Sequence, residues 1–184
     1  LTGVAVVNKV DNTTYATIGG EAEVNAAGNT TLSATDTTTL VTVAGSLARS
    51  EKVGIGASVA LNLVNRRTEA YIGSLFEDSV LSSDGSFTTT GGLSIIAESD
   101  GFIGTFSVAG AFASNSDEPD NFDTTSVAIG AAVAVNDVDD VVRAYINDST
   151  VSATGNITMS ATAGSTFEAF TIGAAIANGD SNSV

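Results

Sequence analysis

Two clusters of carboxylates are the residues of this sequence best suited to chemistry. The first lies in Asn115-Ser-Asp-Glu-Pro-Asp-Asn-Phe-Asp123, where Asp117, Glu118, Asp120 and Asp123 crowd one short segment. Oxygen-rich loops of this density can surround Ca²⁺, which takes about six to eight oxygen ligands. The spacing matches neither an EF-hand nor the Gly-Gly-x-Gly-x-Asp nonapeptide of calcium-binding β-rolls. Without a ligand, the same segment is a solvated loop around Pro119, the only proline of the chain. The second cluster is Asp137, Asp139 and Asp140 with Arg143. Carboxylates beside an arginine could serve a polysaccharide lyase or hydrolase as acid, base or Ca²⁺ ligands. In a strand, Asp137 and Asp139 share a face and Asp140 points the other way. A solvated strand end with a local ion pair accounts for the same residues.

Composition narrows the chemistry further. The 184 residues contain no Cys, no His and no Trp. That excludes disulfides, Cys/His metal centres and any nucleophile system that needs histidine. The formal net charge is −15, from 21 acids and 6 bases. Nucleic acid and anionic membrane surfaces demand a basic footprint, so neither is an expected partner. No apolar run approaches the ~18 residues of a membrane span, so no membrane insertion of this segment is expected. Ala, Thr, Ser and Gly together make 91 of the 184 residues. Such small side chains build thin, closely spaced layers.

The elements that must position these residues repeat themselves. Val4-Ala-Val-Val-Asn-Lys-Val-Asp11, Ser58-Val-Ala-Leu-Asn-Leu-Val-Asn65 and Ala132-Val-Ala-Val-Asn-Asp-Val-Asp139 superimpose. In each, an Asn (Asn8, Asn62, Asn136) precedes an Ala (Ala16, Ala70, Ala144), with Ile18, Ile72 and Ile146 two positions further on. The repeats divide the chain into 1–54, 55–128 and 129–184, with extra residues in the second near 81–89 and 114–125. Each closes with a small-residue segment: Val43–Ala48, Val108–Ala113 and Ile172–Ala177. The counterparts of Asp137, Asp139 and Asp140 are Lys9, Asp11 and Asn12, then Leu63, Asn65 and Arg66. A catalytic cluster would therefore exist in one copy only. Ser183-Val184 matches Ser126-Val127 and Leu1 matches Ile129. That phase is expected of a slice from a longer array, or of a subunit whose copies join head to tail.

Helix formers and helical periodicity are scarce, whereas strand patterns abound. Thr30–Ala34 and Gly155–Ala161 alternate apolar and polar, as half-buried strands do. Ser58–Val64 and Ala132–Val138 are small or apolar on both parities, which suits strands of a covered parallel sheet. The pattern predicts an all-β parallel β-solenoid in which equal positions of successive repeats stack into ladders. Antiparallel β-sandwich repeats are the alternative. On strand parity Asn8, Asn62 and Asn136 form an inward amide stack, or else cap their own turns. Tyr71 and Tyr145 form an aromatic ladder that Thr17 interrupts in the first copy.

Segments such as Ala57-Ser-Val-Ala-Leu-Asn-Leu-Val64, Glu69-Ala-Tyr-Ile-Gly73 and Gly155-Asn-Ile-Thr-Met-Ser-Ala161 resemble the tandem repeats of very large bacterial surface adhesins. Those are the filamentous-haemagglutinin-like and leukotoxin-like repeat proteins. The resemblance spans essentially the whole chain. It implies a right-handed parallel β-helix, export to the cell surface, and a role in adhesion, matrix or sheath. The expected partners are neighbouring repeats or copies of the chain itself, with surface glycans or other cells beyond them. No enzyme activity is expected. A Ca²⁺-dependent glycan- or partner-binding module is the competing reading, and a polysaccharide lyase or hydrolase the third. The binding-module reading predicts that millimolar Ca²⁺ raises the melting temperature; a scanning-calorimetry trace unmoved by Ca²⁺ counts against it.

Overall fold

The structure, a computed structural model, describes residues 1–19, 21–75, 85–114 and 126–178. The described residues form ten strands and no helix: β1 (Thr2–Gly19), β2 (Glu23–Ala26), β3 (Thr30–Ser50), β4 (Val53–Gly73), β5 (Ser86–Thr89), β6 (Leu93–Ser114), β7 (Val127–Asn147), β8 (Thr150–Ala153), β9 (Ile157–Ala163) and β10 (Thr166–Asn178). Among the described residues, therefore, no helix is long and apolar enough to cross a membrane.

The strands assemble into three parallel sheets. Sheet A runs β1-β4-β7, sheet B runs β2-β5-β8, and sheet C runs β3-β6-β10 with β9 also on β6. Each turn of the chain therefore lays down one long strand, one very short strand and a second long strand, which in the last turn is divided into β9 and β10. This is a parallel β-solenoid, and one sequence repeat is one rung. Every pairing is parallel, which overturns the antiparallel-sandwich alternative. Such a sandwich would need antiparallel pairs inside each repeat, and here every partner comes from the repeat before or after.

The register sets like on like. Asn8 pairs Asn62 and Asn62 pairs Asn136; Ala16, Ala70 and Ala144 align, as do Ile18, Ile72 and Ile146. Ser86–Thr89, which falls within the stretch that reads as inserted near 81–89, pairs in register with both Glu23–Ala26 and Thr150–Ala153. The small-residue segment of the first copy sits two residues out of step. Gly45, not Val43, pairs Val108.

Alternation runs through most of β1, β3 and β4. On β4 every even residue from Gly54 to Ile72 is buried. The inward residues change character along the rung, and that gradient organises the interior. Where the three sheets meet, the core is bulky and apolar, with Ile72, Phe87, Leu93 and Ile95 packed together. In the middle it is polar. Towards the far end it is mostly Gly, Ala and Ser, and sheets A and C close on each other. A Cβ on Gly56 would fall 2.2 Å from the Gly110 carbonyl oxygen across the interior, and one on Gly130 would fall 2.2 Å from that of Ala174. Facing sheets ordinarily sit about 10 Å apart with side chains between them. Here one sheet meets the backbone of the other. The cross-section is a wedge, thick at sheet B and thin at the opposite end.

Two glycines answer to backbone geometry. Gly73, at φ +104, ends β4 where any Cβ would strike the Asn147 carbonyl. Gly101, at φ +145, lies against the Thr38 backbone in mid-strand. There sheet C also breaks between β9 and β10. Side chains disfavour both conformations.

Gly56→Ala puts a methyl group into the facing backbone, with no flexible side chain to yield. It should cost about 3 kcal/mol of stability by urea unfolding. Gly3→Ala, whose Cβ meets nothing closer than 3.9 Å, should leave the midpoint nearly unchanged.

Candidate functional site

The polar middle of the wedge holds two connected networks. The first is the Asn column. Asn8 Nδ2 donates to Thr42 Oγ1 at 2.6 Å, and the Thr42 hydroxyl donates to Asn62 Oδ1. Asn62 Nδ2 donates to Thr105 Oγ1 at 2.9 Å, and the Thr105 hydroxyl donates to Asn136 Oδ1. Asn136 Nδ2 then donates to the Glu168 carbonyl at 2.7 Å. Direct amide contacts run alongside, from Asn8 to Asn62 at 3.2 Å and from Asn62 to Asn136 at 3.0 Å. The chain zigzags between sheets A and C and descends one rung at every second hydrogen bond. All its donors point from rung 1 towards rung 3. Amide and hydroxyl suit this role because each both donates and accepts. Thr42 and Thr105 share a register column that Ala169 completes in the third rung, so Asn136 turns to backbone there.

The second network surrounds Arg66, whose side chain is fully buried. It stacks between Asn12 above and Asp140 below. Its guanidinium reaches Asp36 at 3.4 Å in the first rung and Asp140 at 2.5 Å in the third. It also donates to the Asp100 carbonyl at 2.9 Å and to Ser165 Oγ at 2.5 Å. Ser99 Oγ donates to Asp140, and Asn12 Nδ2 and Thr38 Oγ1 donate to Asp36. One cation thus ties three rungs together. Burying these charges is tolerable because nearly every polar atom finds a partner.

The outer face of sheet A carries a groove of about 250 Å³ lined by Lys9, Asp11, Leu63, Asn65, Asp137 and Asp139. Asp137 stacks on Leu63 and Asp139 on Asn65. Lys9 bonds Asp11 at 2.8 Å. That hydrogen bond, helped by the carboxylate charge, raises the Lys9 pKa above its ordinary value. Asp137 and Asp139 do share a face, and Asp140 points inward to Arg66.

The expected strand-end ion pair is corrected on one point. Arg143 pairs with Glu69 at 3.1 Å, not with the aspartates. Glu69 lies on the outer face yet is fully buried. It also accepts from Arg67 Nε at 2.7 Å and from the Tyr145 hydroxyl at 3.0 Å. Tyr71 and Tyr145 stack with ring centres 5.0 Å apart and planes 2° apart. Tyr15 meets Tyr71 edge-on at 6.1 Å from one column away, while Thr17 occupies the register position of Tyr71 in the first rung.

Asp117, Glu118, Asp120 and Asp123 lie outside the described residues. Among the described residues, no three acids converge in a way that could hold a metal. The arrangement divides the carboxylates by task. Asp36, Asp140 and Glu69 are engaged with arginine, while Asp137 and Asp139 line the outer groove. What the sequence reading lacked was the partners across the interior: Thr42, Thr105, Asp36 and Ser99. Arg66 was visible as the counterpart of Asp140, and its even parity on β4 is the signal that marks it as inward.

No family model, curated protein or solved structure matches this chain.

Arg66→Met leaves Asp36 and Asp140 buried without their cation. The variant should lose about 3–5 kcal/mol by urea unfolding. Adding Asp36→Asn and Asp140→Asn should recover much of that loss, because no unpaired charge then remains inside. Asn62→Leu should cost about 3 kcal/mol, since Thr105 and both neighbouring amides lose partners. Asn8→Leu, on the first rung, should cost clearly less.

Proposed function

We propose that this chain is a structural segment of an exported bacterial surface filament or adhesin, and that its work is mechanical. The observation that carries the reading is the stacking of like on like across rungs. The inward apolar residues of the outermost rungs agree with it: Val4, Ile157, Met159 and Phe167 are at least 40% exposed there. These are core side chains in every other respect, and a further rung of the same kind would bury them. Neighbouring repeats or copies of the chain itself are the partners that fit. The edge strands offer such a neighbour a ladder of backbone donors and acceptors.

The acidic surface suits a body that stays dispersed in water. The resemblance to large adhesin repeats gives the setting of export and cell-surface display. The reading is non-catalytic. Asp140 and Arg143, two members of the candidate acid cluster, are committed to partners on opposite faces of sheet A. The Ca²⁺-binding alternative rests on Asp117, Glu118, Asp120 and Asp123, and no contact among the described residues favours it.

Negative-stain electron microscopy of the native parent material tests the proposal. Extended bodies with a repeat of ~4.8 Å per rung in fibre diffraction are the expected result. Compact particles without such a repeat would sink it.

A further inference from the structure

The thin half of the wedge is amphipathic in reverse. Its inward residues are almost all Gly, Ala and Ser, with Val4 and Val6 on the first rung, and its other large apolar side chains point outward. On sheet A, Val59, Ile129, Val133 and Val135 are 40–50% exposed. On sheet C, Val43, Leu47, Phe170, Ile172 and Ile176 are 44–75% exposed. The two patches lie back to back, since Ser58 faces Ser107 at 2.7 Å across the interior and Gly56 faces Gly110. A single exposed valine needs no explanation, but two contiguous apolar faces on one thin slab do.

Their shape selects the occupant. Side chains stand in rows one rung apart, at ~4.8 Å. Such ridges interdigitate best with a surface of the same period, which means another solenoid of this kind. The sheet C face is also level. A Cβ on Gly104 would lie 2.6 Å from the Phe102 ring, and one on Gly110 would lie 2.8 Å from Leu47 Cδ1. Those large side chains therefore lie down across the glycines. Eleven residues by three strands make a face of roughly 500 Å², so one contact would bury about 1,000 Å² in total. That is near the lower bound for a specific interface, and it grows with every added rung. The other half limits the overlap, because its outer surface is polar: Asp11 and Asp139 on sheet A, Ser33, Glu98 and Thr162 on sheet C.

We propose that the outer faces of the thin half are lateral docking surfaces for a second copy of this chain, sheet packed on sheet. Since both faces are apolar, a docked copy presents a fresh face and the stack can continue. The inference stands on side-chain direction and does not depend on the filament reading. The net charge of −15 opposes the association. Raising ionic strength screens that repulsion and leaves the apolar contact intact.

Sedimentation velocity of the 184-residue chain from about 0.05 to 1 M NaCl tests it. The expected result is a weight-average mass that rises with salt and with protein concentration. Val43→Lys with Ile172→Lys should weaken self-association at least about tenfold. Ser33→Lys with Thr162→Lys adds the same charge to the polar half of the same sheet and should not weaken it. Unchanged β-sheet circular dichroism establishes that the exposed-site variants fold. A chain monomeric at every salt concentration overturns the proposal. So does equal behaviour of the two double variants, which would place association at the sheet edges. Flotation with neutral phosphatidylcholine vesicles, lost only in the Val43 and Ile172 variant and without self-association, would assign the face to lipid and equally overturn it.

Discussion

Backbone hydrogen bonding of each residue to its counterpart one rung away is the constraint on which everything else depends. It forces every side-chain column to tolerate its own neighbours at the spacing of a parallel sheet. Few side chains meet that demand inside a protein. Asparagine does, because an amide can donate to the copy below and accept from the copy above. Alanine and isoleucine do by dispersion contact. Arginine does not, and the structure never stacks it on itself inside. Asn12 and Asp140 flank Arg66 in its column, and Asp36 faces it from the opposite sheet. The Arg66 column thus carries a different side chain in each of its three rungs, Asn12, Arg66 and Asp140. Each rung becomes non-equivalent there, and a shift by one rung would set Arg66 against a column without its acids. That column therefore fixes register by charge, as buried polar groups do in other repetitive assemblies.

The wedge follows from the same demand applied along the rung. Columns of Ile, Leu and Phe need room, and they occupy the end where a third sheet props the other two apart. Columns of Gly and Ala need none, so sheets A and C collapse together. Apolar surface still has to exist somewhere on strands rich in valine, and in the thin half it moves outside. Glycine and alanine fill the inward columns where the backbones of two sheets touch.

Much of this was legible in the sequence, for physical reasons. Repetition at Asn8, Asn62 and Asn136 foretold the register, because parallel stacking turns sequence repeats into spatial columns. Strand parity placed Asp140 opposite Asp137 and Asp139. What was not legible came from pairing between sheets A and C, which joins residues with no fixed sequence offset. Thr42 across from Asn62 is one case; Asp36 beside Arg66 is another. Parity also gave no warning about Glu69, whose outward position suggests solvent. Arg143 and Tyr145 from the next rung reach it there. The stretch near 81–89 misled because β5 has only four residues, too few to show its kinship with β2 and β8 by pattern alone.

The tapering cross-section has a mechanical consequence. Each long strand extends about 70 Å across the body, several times the ~10 Å that ordinarily separates two facing sheets. Resistance to flexing scales with the cube of depth along the direction of bending. A stack of such rungs therefore yields far more readily out of its flat plane than within it, by roughly fiftyfold on those dimensions. It would behave like a leaf spring, compliant to a push on its broad side and rigid to one on its narrow edge. The thin margin, where glycines meet backbone, is where such flexing would concentrate.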